Sequence, residues 1–254
     1  VAGGPAQGGA ARLSARAALR IGAGLVTLCP PRAALPEHAG PPDALMRRPL
    51  DGPEDLEGLL ADARIAAVCL GPGCGIDRAV SLLPPLLASG RAAVLDADAI
   101  TALAGRANPF QDLHDRCVLT PHAGEFGRLF PDLAQRLDEP PLAGPAFSRL
   151  DAARQAAARA GAVVLLKGPD TVIAAPDGRA AVHSAPDLPW LATAGAGDVL
   201  SGMIAGLLAR GWPGLEAAAA ATLVHARAAR RFGPGLIADD LPDQMPAVLR
   251  DMGA

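Results

Sequence analysis

Short, nearly continuous apolar runs alternate along this chain with longer stretches in which apolar residues recur every three to four positions. The runs fall at residues 25–28, 65–70, 92–95, 117–119 and 163–166. They are too short for helices and lack polar alternation, as expected of strands covered on both faces. Residues 10–21, 78–88, 125–130, 149–160, 198–209 and 215–232 carry the helical spacing. This alternation predicts an α/β fold with a doubly wound, mostly parallel sheet flanked by helices on both faces. Two segments depart from it. Within residues 171–182, two strand-like runs flank Pro176-Asp177-Gly178, which predicts a hairpin, and the Pro-rich residues 29–53 read as an irregular connection. The opening Val1-Ala2-Gly3-Gly4 reads as the end of a strand, so further chain is expected upstream of Val1.

Composition narrows the class of partner. Of the 254 residues 50% are hydrophobic and 19% charged, enough apolar material for one large domain over residues 1–254. A net charge of -3 gives no electrostatic footprint for nucleic acid or an anionic membrane surface, which favours small-molecule partners. Cys29, Cys69, Cys74 and Cys117 show no metal-ligand spacing and read as buried free thiols. No apolar run approaches the ~18 residues of a membrane span. A reducing cytoplasm is therefore the expected location.

In a parallel sheet ligands bind beyond the carboxyl ends of the strands, so the residues after each run carry the chemistry. Leu70 leads into Gly71-Pro72-Gly73-Cys74-Gly75, a turn whose backbone can approach a ligand closely or can simply be tight. Leu95 leads into Asp96-Ala97-Asp98, carboxylates that suit either a helix cap or a hydrated Mg²⁺. Leu119 leads into Thr120-Pro121-His122-Ala123-Gly124-Glu125, where His122 is either structural or a ligand contact. Leu166 leads into Lys167-Gly168-Pro169-Asp170-Thr171, which offers a cation, a bare backbone and a hydroxyl to a phosphate, or else forms a solvated turn.

The most informative stretch is Ala192-Thr193-Ala194-Gly195-Ala196-Gly197-Asp198, directly before a long helical run. Gly195 and Gly197 free the backbone to wrap an anion, and the helix N-terminus adds unpaired N–H groups. Asp198 sits at the mouth of this anion hole. It could cap the helix, or it could take a proton from a hydroxyl attacking a bound phosphoryl group.

The Gly195-Ala196-Gly197-Asp198 turn resembles the signature of the ribokinase-like superfamily. Further segments resemble one family within it, the ADP-dependent NAD(P)H-hydrate dehydratases: residues 9–13, 17–26, 70–75, 95–99, 119–126, 165–171 and 192–206, in the family's order. The resemblance implies that Asp198 is the catalytic base and also touches substrate. It implies nucleotide binding by Lys167, Gly168, Pro169, Asp170, Thr171 and Gly197, and substrate contacts from Ala10, Gly73 and His122. It further implies hydrated NADH or NADPH as substrate, ADP (or ATP) as co-substrate, Mg²⁺ as cofactor, a homotetramer, and an epimerase domain fused upstream or acting separately.

Departures from the family pattern are local. Leu188-Pro189-Trp190-Leu191 stands where the family usually carries an Asn-Pro-Gly-Met-like stretch, and residues 3–8 form a shorter turn without its usual aromatic. A kinase of the same superfamily acting on a hydroxyethylthiazole- or pyridoxine-like alcohol would share the Gly-x-Gly-Asp turn. It is disfavoured by the Gly22-Ala23-Gly24-Leu25-Val26 and Thr120-Pro121-His122 segments. A catalytically silent nucleotide-binding module would have no use for both Lys167 and Asp198.

Overall fold

The computed structural model describes residues 1–140 and 144–253. In chain order its elements are α1 (Gly9–Arg20), β1 (Val26–Leu28), β2 (Leu45–Arg47), α2 (Pro53–Leu60), β3 (Ala67–Leu70), α3 (Ile76–Ala88), β4 (Ala92–Leu95), α4 (Asp98–Ala104), β5 (Cys117–Leu119), α5 (Ala123–Leu129) and α6 (Pro131–Asp138). They continue with α7 (Arg149–Ala160), β6 (Val163–Leu166), β7 (Asp170–Ala174), β8 (Ala180–Ser184), α8 (Ala196–Ala209), α9 (Gly214–Phe232) and α10 (Asp240–Asp251). Single 3-10 segments cover Arg32–His38 and Pro189–Ala192.

Six strands form one sheet in the order β3-β4-β5-β6-β7-β8. The first four run parallel, and β7 and β8 are added antiparallel as the expected hairpin, which turns at Gly178 with φ 88°. Strand residues alternate between two cores. Ala93, Leu95, Leu119 and Leu166 pack with Leu82, Leu86, Phe126 and Phe130 under α2 to α7. Val94, Val118, Val163 and Leu165 pack with Val199, Met203, Ala217 and Ala221 under α8 and α9. Each fully buried Leu or Phe contributes about 1.5–3 kcal/mol relative to exposure.

The register aligns the carboxyl ends of the parallel strands. Leu70 faces Leu95, which faces Leu119, and Leu119 faces Val164 two residues before the end of β6. The four turns singled out in the sequence therefore emerge along one rim. Gly71 and Asp96 touch there so closely that a Cβ on Gly71 would stand 1.7 Å from the Asp96 carbonyl oxygen. Ala97 takes φ 46°, a strained conformation for a residue with a Cβ.

The structure corrects two expectations. Residues 25–28 do not join the main sheet; β1 pairs with β2 in a separate two-stranded parallel sheet. The segment 29–53 is accordingly not wholly irregular, since it holds β2 and a 3-10 turn. The strand-like opening connects the two sheets: the Val1 nitrogen donates to the Cys69 carbonyl (2.8 Å) and the Ala2 N–H to the Cys29 carbonyl (3.0 Å). The cysteines are free thiols, three buried and Cys69 half-buried, and burial raises the pKa of each. Among the described residues no helix is long and apolar enough to cross a membrane.

Candidate functional site

Helix α8 begins where Gly195 reverses the chain at φ 89°. Glycine is required there, because a Cβ would lie 2.7 Å from Leu13 Cδ1 and 2.9 Å from Ala238 Cβ. Asp198 stands in the first turn of this helix. Its carboxylate caps nothing: among the described residues it accepts no hydrogen bond, while its backbone carbonyl is 2.8 Å from Ser14 Oγ. Burial, then the facing Asp96 carboxylate, pushes its pKa up to about 6, with Lys167 opposing the rise. A carboxylate half-buried, unbonded and raised toward neutrality is suited to accepting a proton.

Beneath it lies a buried polar network. Lys167 Nζ is 2.8 Å from Asp96 Oδ1 and 3.9 Å from Glu125 Oε2, and it lies 3.4 Å from where a Cβ on Gly197 would be. Asp96 is 1% exposed; it also accepts from the Ala97 N–H (2.9 Å) and from Ser201 Oγ (2.6 Å). The Lys167 N–H donates to the Pro121 carbonyl at 2.9 Å, tying the β5 and β6 turns together. The ammonium is thus neutralised and aimed by Asp96, with Gly197 leaving room beside it. Neither Asp96 nor Asp98 caps α4 with its side chain, because Asp98 Oδ2 instead accepts the Gly75 N–H at 2.9 Å and pins the glycine-rich turn.

His122 does cap. It is the N-cap of α5, its Nδ1 accepting from the Gly124 N–H (3.0 Å) and the Glu125 N–H (3.3 Å), while Glu125 Oε2 accepts the His122 N–H (2.8 Å). This reciprocal capping fixes the ring and leaves Nε2 toward solvent, 3.5 Å from Glu125 Oε1.

The other wall is the start of α1. Helices α1 and α8 meet at Gly202 and Gly206, where added Cβ atoms would lie 2.0 Å from the Ser14 carbonyl oxygen and 2.4 Å from Ile21 Cγ2. Ser14 Oγ lies within hydrogen-bond distance of the carbonyls of both Ala10 (3.1 Å) and Asp198. A groove of about 490 Å³ runs along this wall, lined by Gln7, Gly9, Ala10, Gly73, Gly75 and Asp98.

The rim therefore brings Asp198, Lys167 and Gly197 together, with Ala10 and Gly73 on one side and His122 on the other. Gly168 lies against Arg149, whose guanidinium donates to the Lys167 carbonyl at 2.9 Å. Thr171 Oγ1 donates to the Gly168 carbonyl (3.1 Å), closing the exposed turn, and Asp170 accepts from its cross-strand partner Ser184 on β8. Pro169 contributes its carbonyl to the Ala185 N–H at 3.0 Å. The departing segment 188–191 forms a 3-10 turn, with Trp190 Nε1 donating to the Ala229 carbonyl at 3.2 Å.

Sequence reasoning missed several supports. They are Ser14, Ser201, Arg149 and His225, the last a buried residue whose Nε2–H donates to the Ala196 carbonyl at 2.9 Å and whose pKa burial lowers to about 4. Ser14 sits on the apolar stripe of α1, where a hydroxyl needs a partner, and that was the one available signal. The others carry no sequence signature.

Comparison with known proteins identifies the family. A profile of the NAD(P)H-hydrate dehydratase family matches residues 1–245. The bifunctional NAD(P)H-hydrate repair enzyme Nnr of Moorella thermoacetica is 41% identical over 274 residues, covering 99% of this chain and 49% of that protein. The chain spans about half the length of the curated relatives it matches. The ADP/ATP-dependent NAD(P)H-hydrate dehydratase of Bacillus subtilis, crystallised with ATP and Mg²⁺, superposes with a TM-score of 0.79 at 28% identity, over 99% of this chain and 87% of that one. A ribokinase-like superfamily protein of Enterococcus faecalis reaches 0.80 at 24% identity over 98% of this chain and 85% of that one, which shows the fold. An extensive profile match and a relative of high identity across nearly the whole chain, joined to an unbonded carboxylate at a glycine-lined helix start, place this ribokinase-like chain in the NAD(P)H-hydrate dehydratase family.

Proposed function

We propose that this chain dehydrates the S epimer of hydrated NADH and NADPH, with ADP as phosphoryl donor, yielding the reduced dinucleotide, AMP and phosphate. The observation that carries this reading is the Asp198 carboxylate, which is raised to about 6 and accepts no hydrogen bond among the described residues.

Asp198 accepts the proton of the ring hydroxyl as its oxygen attacks the terminal phosphorus of ADP and the bond to AMP breaks. The N–H groups at the start of α8, bared by Gly195 and Gly197, stabilise the charge on the transferring group. Lys167, steered by Asp96, supplies a fixed cation beside them. The hydroxyl has then become a phosphate ester. Its C–O bond breaks, phosphate leaves with the electron pair, a proton is lost from the neighbouring ring carbon, and the double bond returns. We assign nucleotide binding to Lys167, Gly168, Pro169, Asp170, Thr171 and Gly197, and substrate contacts to Ala10, Gly73 and His122 besides Asp198.

Among the described residues no group of three or more His, Cys, Asp or Glu side chains could cage a metal ion. This fits Mg²⁺, which binds through nucleotide phosphates and few carboxylates and keeps much of its water. Asp98, half-buried on the groove, is the carboxylate that would face that water shell, and the ion would offset phosphoryl charge. The bifunctional relative supports an epimerase partner, and the four free thiols support a cytoplasmic location. Assembly as a homotetramer follows from the family resemblance and is checked by light scattering.

The test incubates the chain with hydrated NADPH, Mg²⁺ and either ADP or ATP and follows absorbance of the regenerated ring. Turnover with ADP is expected, together with its loss in Asp198→Asn while nucleotide still binds. Full turnover by that variant would remove Asp198 from the chemistry.

A further inference from the structure

On the far side of the first turn of α1 lies a second pocket, of about 340 Å³, lined by Gly9, Arg12, Leu13, Glu37, His38 and Arg47 among others. It shares Gly9 with the substrate groove. Its wall residue Leu13 abuts Gly195, in the turn that carries Asp198. The pocket and the reacting centre are therefore two sides of one helix start.

The polar groups here are unusual. His38 is 2% exposed, yet neither of its ring nitrogens finds a partner among the described residues, and the same holds for Arg47 Nε. Burial, then the Arg12 charge, holds His38 below its ordinary pKa, so a neutral ring offers one N–H. Arg12 is exposed, and its side chain makes no hydrogen bond or ion pair among the described residues. Arg12 Nη1 and His38 Nε2 both lie within 3.0 Å of the point where a Gly8 Cβ would stand, so a glycine lets them converge.

The carboxylates in the wall are already engaged. Glu37 accepts the Ala6 N–H with both oxygens (2.9 and 3.1 Å), and Asp239 faces Arg16 at 3.6 Å. What remains is an unpaired guanidinium beside a buried imidazole whose N–H has no acceptor. That is the chemistry of a site for a phosphomonoester. The volume falls within the ~300–1,000 Å³ of small-molecule pockets. Because the groove and this pocket share Gly9, a dinucleotide with its nicotinamide ring in the groove has this pocket next along the same helix turn.

We propose that the pocket receives the 2′-phosphate at the adenosine end of hydrated NADPH, held by Arg12 and His38, and that it makes the phosphorylated dinucleotide the preferred substrate. This rests on the dehydratase reading above. A free phosphate ion would meet the same donors, so the test separates the two sources.

The wild type and Arg12→Gln are assayed with hydrated NADPH and hydrated NADH. Arg12 is exposed, so the substitution leaves folding intact. The ratio of kcat/KM for the two substrates is expected to fall roughly tenfold, the loss of one charge-assisted contact at a solvated edge. Calorimetry with adenosine 2′,5′-bisphosphate, AMP and inorganic phosphate supplies a readout independent of turnover. The bisphosphate should bind the wild type roughly tenfold tighter than AMP, an advantage lost in Arg12→Gln. An unchanged substrate ratio, an equal loss for both substrates, or inorganic phosphate binding as tightly as the bisphosphate would overturn the assignment. If the wild type turns over neither hydrate, the dehydratase reading fails, while the calorimetry still decides the anion site.

Discussion

Replacing Asp198 with asparagine separates what the carboxylate does for chemistry from what it costs the fold. Raising a carboxyl from its ordinary 3.8 to about 6 makes ionisation in the folded chain harder by about 3 kcal/mol. Asp198 is only half-buried, so solvent screens part of this, and the amide forfeits ~0.5 kcal/mol of favourable interaction with the α8 N-terminus. A net gain of about 1.5 kcal/mol for the asparagine remains. Its sign depends on pH. Below 3.8 the carboxyl is protonated both folded and unfolded, and the two proteins should be equally stable. Between 3.8 and about 6 the unfolded chain ionises first, so the wild type loses stability as pH rises through that window. For a chain of this length the gain corresponds to roughly 3–6 °C in Tm. Thermal unfolding at pH 2.5 and pH 8 should give coincident midpoints at the lower pH and a higher one for Asp198→Asn at the upper. An asparagine variant that melts no higher than the wild type at pH 8 would refute a penalty from burial and facing carboxylates.

The same ionisation should appear in catalysis: log kcat/KM rises with pH at unit slope and levels off near 6, and a profile flat from pH 5 to 8 would contradict a base of that pKa. Lys167→Met leaves the buried Asp96 carboxylate without its ammonium and should cost about 3 kcal/mol in urea unfolding; adding Asp96→Asn should recover much of that loss. Gly202→Ala drives a Cβ into the Ser14 carbonyl and should destabilise by about 1–3 kcal/mol, whereas Gly58→Ala, in open space on α2, should not.

The parallel core of the fold was legible because each buried strand is a short apolar run ending in a polar or glycine-rich turn. The start of α8 was legible because Gly195 and Gly197 come directly before Asp198, the one charged residue of that turn. Residues 25–28 read as a strand of the main sheet and β2 does not read as a strand, because the Pro-rich stretch between them hides their pairing. Helix α10 was missed because Pro242 and Pro246 break its apolar spacing, although both are accommodated in it. Helix α6 was missed because it restarts at Pro131 directly after α5 ends. At the site, the residue types that touch ligands in the family could be named from their motifs. The groups that aim them could not, because Asp96 reaches Lys167 across 71 positions and Ser14 reaches Asp198 across 184. Hydrogen bonds of that span leave no local periodicity.

The contact between α1 and α8 sets the order in which this protein can be made. Neighbouring strands of the main sheet are consecutive in the chain, so β3 to β8 can pair as they leave the ribosome. Helix α1 precedes that sheet in the chain, yet its small-residue face waits for Gly202 and Gly206, which follow β8. A nascent chain that stops short of α8 carries a sheet and a glycine-rich rim but no base, and an unshielded alanine face for chaperones to cover.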